Sequence, residues 1–163
     1  FTTAPEIRET KNSDLVQLKN ITTNLYLGTR ITNDQLTKSR ANKYYVKWVE
    51  NSVKGEAADA VLVWDETSEI LGYVTLQNKG AEGAARRGSV PEGQIPLIGV
   101  SEKARGKGVA RSLLYAAFVK FKKWGAKKVN IDTQMGNIPA LRAYHGVGFK
   151  IVDSHLTFRW ANL

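Results

Sequence analysis

Basic side chains, three glycines and the start of a helical pattern fall together over residues 96–112, Pro-Leu-Ile-Gly-Val-Ser-Glu-Lys-Ala-Arg-Gly-Lys-Gly-Val-Ala-Arg-Ser. Lys103, Arg105, Lys107 and Arg111 surround Gly106 and Gly108, and an amphipathic run begins at Val109. Glycines let a backbone approach a ligand closely. The first amides of a helix lack intrahelical partners, and the helix dipole adds partial positive charge at that end. Together these make an anion cradle, and a phosphate-bearing ligand is the expected guest.

Spacing decides which phosphate motif this is. A Walker loop needs Gly-x-x-x-x-Gly-Lys followed by Ser or Thr, but Ser101 stands at the first glycine position and Gly108 at the hydroxyl position. A dinucleotide fingerprint starting at Gly106 would put Arg111 at its third glycine, too large for close helix-to-strand packing. The spacing that fits is Arg/Gln-x-x-Gly-x-Gly/Ala, carried by Arg105, Gly108 and Ala110 after Val100 at a strand end. It resembles the acetyl-CoA pyrophosphate loop of the GNAT superfamily of N-acetyltransferases. Downstream, Asn137, Ala140, Tyr144, Gly148 and Phe149 are similar in spacing to that family's Asn-x-x-Ala-x-x-x-Tyr-x-x-x-Gly-Phe segment.

The resemblance implies acetyl-CoA as co-substrate and no metal. Backbone around Arg105, Gly106, Lys107, Gly108, Val109, Ala110 and Arg111 would hold the diphosphate. Ile98, Gly99 and Val100 would pair with the pantetheine arm as an added strand, and an amide at Val100 would polarise the thioester. Tyr144 would be the general acid at the sulfur, with Asn137 and Ala140 contacting CoA. The residues by themselves also fit a strand-turn-helix with basic decoration, a tyrosine packed beneath Phe149 and an N-cap at Asn137. A phenol of pKa near 10 opposite a thiol near 8.5 makes full proton transfer uphill by about 2 kcal/mol, so a hydrogen bond or late transfer is expected. No general base stands out: His145 and His155 are isolated. A water chain polarised by backbone carbonyls is the alternative.

On the acceptor side, residues 44–56 and the Val74-Thr75-Leu76 strand look similar to TDP-amino-sugar acetyltransferases of the TDP-fucosamine type. That implies acceptor contacts at Tyr45, Trp48, Asn51 and Thr75, with rings stacking on sugar or base faces and Asn51 and Lys54 meeting hydroxyls or phosphates. The same residues equally fit an amphipathic core helix. Glu102 replaces the proline common at its position, and the loop over residues 78–93 is long, which leaves the lid and acceptor pocket open.

These groups need a scaffold. Strands are expected at residues 5–9, 60–64, 70–77, 94–100 and 128–133, with a final hairpin from residues 149–152 and 156–160. Helices are expected from Leu15 through Tyr26, capped by Ser13 or Asp14, and at residues 44–53, 109–124 and 137–145. A turn falls at Asn33 and Asp34. Pro139 sits in the first turn of its helix, where a missing amide proton does no harm. The order matches the GNAT fold: α/β (α+β), a mixed, mostly antiparallel twisted sheet of about six to seven strands with about four helices, splayed between the fourth and fifth strands.

The chain of 163 residues suits one domain, 1–163, large enough to bury a core unaided. Having no cysteine, it can hold neither a disulfide framework nor a thiolate metal site, it lacks a cysteine nucleophile, and a cytoplasmic location is expected. Nor does any apolar run reach membrane-spanning length. The net charge of +9 favours polyanions, but the basic residues are dispersed apart from the loop, so CoA and a nucleotide-like acceptor account for the charge better than nucleic acid does. The expected partner is a small-molecule amine, with a homodimer left open. The chain begins at Phe1 rather than Met, so a longer parent chain with an upstream domain is an expectation. Two alternatives remain: acetylation of another small amine or a protein N-terminus, and a non-catalytic CoA- or nucleic-acid-binding module.

Overall fold

The computed structural model describes residues 4–23, 25, 40–80, 90–154 and 156. Its six strands are β1 (Ile7–Glu9), β2 (Ala60–Glu66), β3 (Glu69–Asn78), β4 (Glu92–Ile95), β5 (Ile98–Val100) and β6 (Lys128–Ile131). Four helices accompany them: α1 (Leu15–Thr22), α2 (Ala41–Val53), α3 (Val109–Lys123) and α4 (Ile138–Gly146). The sheet runs β1-β2-β3-β4-β6 with β5 also on β3, and every pairing is antiparallel except β4 with β6. The expected mixed, mostly antiparallel sheet is therefore present. The turn at Asn33 and Asp34, most of the long loop and residues 157–163 lie outside the described residues.

Each face of the sheet has its own core. Leu18 of α1 and Tyr45 and Val49 of α2 pack on Val61, Val63, Tyr73 and Leu97. On the other face Val109, Leu113, Ala117 and Phe121 of α3 pack on Leu62, Val74, Leu76 and Ile95. The spacing of α3, apolar at 109, 113, 117 and 121, lays one stripe on the sheet.

Residues 94–100, expected as one strand, form two. Gln77 pairs with Gln94, whereas Tyr73 pairs with Gly99, a register offset of one residue. The bulge falls at Pro96 and Leu97, where proline has no N–H to give the ladder. Thr75 absorbs the irregularity: its Oγ1 accepts from Leu97 N–H at 2.9 Å while its N–H donates to Leu97 O at 2.9 Å. The parallel ladder to β6 ends at Ile95 and Ile131, so β5 leaves the β6 side beyond the bulge. That is the expected splay.

The first half of the expected final hairpin is corrected. Residues 149–152 form no strand; Phe149 N–H instead donates to Tyr144 O at 3.1 Å, closing the end of α4. Ile151 and Val152 are exposed, with no strand beside them among the described residues to complete a ladder.

At the sheet edge, Asp14 accepts from Arg8 Nη1 at 2.7 Å and from Lys11 N–H at 2.7 Å, and Arg8 Nε donates to Asp65 at 2.8 Å. This ties β1, α1 and the end of β2 together. The Arg8 hydrogen bond is the main reason the Asp14 carboxyl is held below its ordinary value. A depressed folded-state pKa stabilises above the unfolded value near 3.9 and is lost as pH falls through the lower folded value. Asp14→Asn should thus cost about 2 kcal/mol at pH 7, and the difference from the unsubstituted chain should vanish in acid. Urea melts at pH 7 and pH 3 check this; an equal gap at both sinks it.

Candidate active site

After Val100 the chain makes a 3-10 turn at Glu102–Ala104, extends at Arg105 and enters α3 through Gly106 and Gly108, whose φ angles are +77° and +84°. Only glycine takes such angles without strain. The turn leaves the N–H groups of Gly108, Val109, Ala110 and Arg111 without a hydrogen bond among the described residues; the first to find one is Ser112, which donates to Gly108 O at 3.0 Å. Two of the surrounding cations are already paired, Lys103 with Glu69 and Arg105 with Glu102 at 3.4 Å. Lys107 and Arg111 have no ion pair among the described residues, and the Arg111 guanidinium lies along Gly146, where an added Cβ would stand 3.1 Å from Nη2.

Strand alternation fixes the direction of the Val100 backbone. Ser101 N–H donates to Leu71 O at 2.9 Å, and the ladder places Val100 opposite Gly72. In an antiparallel pair alternate residues bond to the partner strand, so the N–H and C=O of Val100 point away from β3, toward the splay. Gly99 turns the other way: a Cβ there would stand 2.7 Å from the Tyr73 ring.

Tyr144 is 8% exposed and meets Phe149 edge to face at 5.9 Å. Burial, and secondarily the charge of Asp132, push its phenol up to about 12. Asn137 caps α4, its Oδ1 accepting from Ala140 N–H at 3.3 Å. Ala104, Val109 and Tyr144 belong to one buried cluster, with Ile98, Val100 and Ala140 packed against it. Ile98, Val100, Val109, Ala140 and Tyr144, which resemblance assigned to CoA, thereby meet on the α3 face of the sheet, and Gly99 does not share that face.

The acceptor residues divide. Trp48 and Asn51 border an open groove of about 560 Å³ on α2, with Arg40, Lys43, Tyr44 and Lys47. Asn51 Oδ1 is buried there without a hydrogen-bond partner. Tyr45 stacks on Trp48 at 6.4 Å but is buried in the core, and Thr75, fully buried, is committed to Leu97. Neither lines the groove.

Asp132 escaped the sequence reading. It follows β6, is exposed, and accepts from Gln94 Nε2 at 3.2 Å. Lys128, Asn130 and Asp132 alternate with Val129 and Ile131, a polar stripe that could have drawn attention to it.

This architecture defines an acyl-CoA acetyltransferase fold, and a family model described as the acetyltransferase (GNAT) family matches residues 24–149. The chain belongs to that family. Over 101 residues it is 28% identical to a mycothiol acetyltransferase of Corynebacterium glutamicum, covering 62% of this chain and 31% of that one. It is 24% identical over 135 residues to a dTDP-fucosamine acetyltransferase of Escherichia coli, covering 82% and 54%. The chain thus spans about a third to a half of the length of these relatives. Among solved structures, aminoglycoside N-acetyltransferase AAC(6')-Iy in complex with CoA has the same fold, with TM-score 0.69, 17% identity and coverage of 98% of this chain and 97% of that one. No helix among the described residues is long and apolar enough to cross a membrane.

Proposed function

We propose that the chain transfers the acetyl group of acetyl-CoA directly to a primary amine on a small molecule, specifically on a nucleotide-linked amino sugar. The observation that carries the transferase half is the row of four unused N–H groups at the head of α3, beside the cluster that holds Val100 and Tyr144. Unpaired helix-start amides with Lys107 and Arg111 close by suit a diphosphate. Pantetheine would extend along Val100, whose N–H would meet the thioester oxygen as negative charge develops. A preorganised donor of this kind contributes about 3 kcal/mol to catalysis. Tyr144 would give its proton to the departing sulfur.

The acceptor half is supported by the α2 groove. Arg40 and Lys43 make no ion pair among the described residues, so they can meet phosphates, and Tyr44 and Trp48 offer faces for a ring. Resemblance to the dTDP-fucosamine enzyme runs over most of the chain and includes this helix.

Acetyl-CoA consumption measured against dTDP-fucosamine, an aminoglycoside, a polyamine and a peptide N-terminus tests both halves. Turnover with dTDP-fucosamine above the others is expected. Turnover restricted to another amine would discard the nucleotide sugar and keep the transferase. A folded chain that fails to bind CoA at millimolar concentration would discard both.

A further inference from the structure

Two glycines seat α3 on the sheet, one under each end. A Cβ on Gly93 of β4 would stand 2.4 Å from the Phe121 ring near the end of α3, and a Cβ on Gly72 of β3 would stand 2.9 Å from Val109 Cγ1 and 3.1 Å from Leu113 Cδ1 at its start. Both are strand residues, where glycine loses backbone entropy and packs no side chain, so each marks an unusually close approach. At Gly72 the sheet is also irregular. Trp64 pairs with Gly72 and Asp65 with Ile70, which leaves Leu71 as an extra residue on β3, and Leu71 joins the α3 cluster beside Gly72.

The residue across from Gly72 gives this seat a role. Gly72 pairs with Val100, and because Ser101 N–H bonds to Leu71 O the two form a non-hydrogen-bonded pair, the closer kind, with Cα atoms about 4.5 Å apart. Val109, whose N–H is one of the four unused at the helix start among the described residues, rests on the same glycine. Gly72 thus stands between Val100 and the head of α3. A methyl group there meets Val109 Cγ1, Leu113 Cδ1 and, at 2.9 Å, the backbone oxygen of Gly99. Carbon atoms need about 3.5 Å between them. Val109 is β-branched and stiff in a helix, and Gly99 O is backbone, so neither yields by turning a side chain. The start of α3 or β5 has to move instead.

We propose that Gly72 is a positioning residue that sets the gap between the α3 amides and the Val100 N–H, and with it the register of the pantetheine arm stretched between them. This rests on the acetyl-CoA reading above. The ligand has two anchors there, its diphosphate at the helix head and its thioester at Val100. When the gap matches the arm, the second anchor engages at high effective concentration; when it does not, only one anchor is satisfied. Gly93 lies under Phe121, about three turns along α3 from the amides, and its seat leaves that gap alone.

Calorimetry with two probes tests this without an acceptor: acetyl-CoA, and adenosine 3′-phosphate 5′-diphosphate, which has the anionic end and lacks the arm. The ratio of their Kd values measures what the arm adds, and a loss of folded fraction alone scales both and leaves the ratio unchanged. In the unsubstituted chain acetyl-CoA should bind about tenfold or more tighter than the diphosphate. Gly72→Ala should lower that ratio by about fivefold or more with the diphosphate affinity kept, and Gly93→Ala, which brings a clash of the same kind, should leave the ratio as it is. Val109→Ala opens the same contact without a clash and replaces Gly72→Ala if that variant does not fold; it should lower the ratio as well. An arm that adds nothing in the unsubstituted chain, a ratio unmoved by the substitution at this contact, or a ratio lowered equally by Gly93→Ala overturns the proposal. A folded, unsubstituted chain that binds neither probe removes the acetyl-CoA reading itself, and this proposal with it.

Discussion

Tyr144→Phe is expected to lower kcat by about 100-fold while leaving the calorimetric affinity for CoA within twofold of the unsubstituted chain. The ring is buried against Phe149 and its hydroxyl has no hydrogen-bond partner among the described residues, so phenylalanine keeps the packing. What disappears is the proton. With the phenol at about 12 and a thiol near 8.5, full transfer from Tyr144 to a free thiolate is uphill by about 5 kcal/mol. Transfer is therefore confined to the moment when the C–S bond is nearly broken and sulfur carries most of its charge. The raised value also sets a pH signature. The protonated phenol is the working form and is lost only as pH rises through about 12, so Tyr144 contributes no fall in rate between pH 7 and pH 10. Equal kcat in the two forms would leave Tyr144 as a packing residue alone.

How far the sequence could carry this depends on the range of each interaction. The cradle was legible because all its causes are local: Gly106 and Gly108 at positive φ, then four amides at the start of an amphipathic helix. The same holds for α4, where Asn137 caps and Pro139 falls in the first turn. The bulge at Pro96 and Leu97 was not legible, since it is completed by the hydroxyl of Thr75, 22 residues away in sequence. Resemblance made Thr75 an expected acceptor contact, but a family likeness does not reveal the partner, Leu97, to which its hydroxyl is committed. Tyr45 and Trp48 are both aromatic and three positions apart, and only the packing of α1 and α2 on the sheet shows that Tyr45 turns inward. Asp132 meets Gln94 across 38 residues of chain, through a parallel pairing no local pattern encodes. The strand expected at residues 149–152 shows the converse, since its apolar residues fit a strand but Phe149 closes α4 instead.

A glycine far from the loop makes the cradle testable on its own. Gly108→Val is expected to weaken CoA binding at least tenfold, whereas Gly125→Val leaves it unchanged. Both glycines have positive φ, +84° and +77°, and at both a Cβ would meet nothing within 4 Å, so each substitution costs backbone strain alone. That strain is about 1 to 2 kcal/mol for an ordinary side chain and greater for a branched one. At the end of α3 it is absorbed by the C-terminal turn, where Gly125 N–H donates to Lys122 O at 3.0 Å. At its start the strain is relieved by rotating residue 108 out of the left-handed region. That swings the N–H groups of residues 108–111 off their common focus and releases the Ser112 bond to the residue 108 carbonyl. About 1.4 kcal/mol of lost amide contact is already a tenfold change in Kd. Calorimetry with CoA, beside urea melts that show comparable stability loss in the two variants, separates strain from binding. Matching affinities in the two variants would mean that the helix-start amides are not what holds the diphosphate.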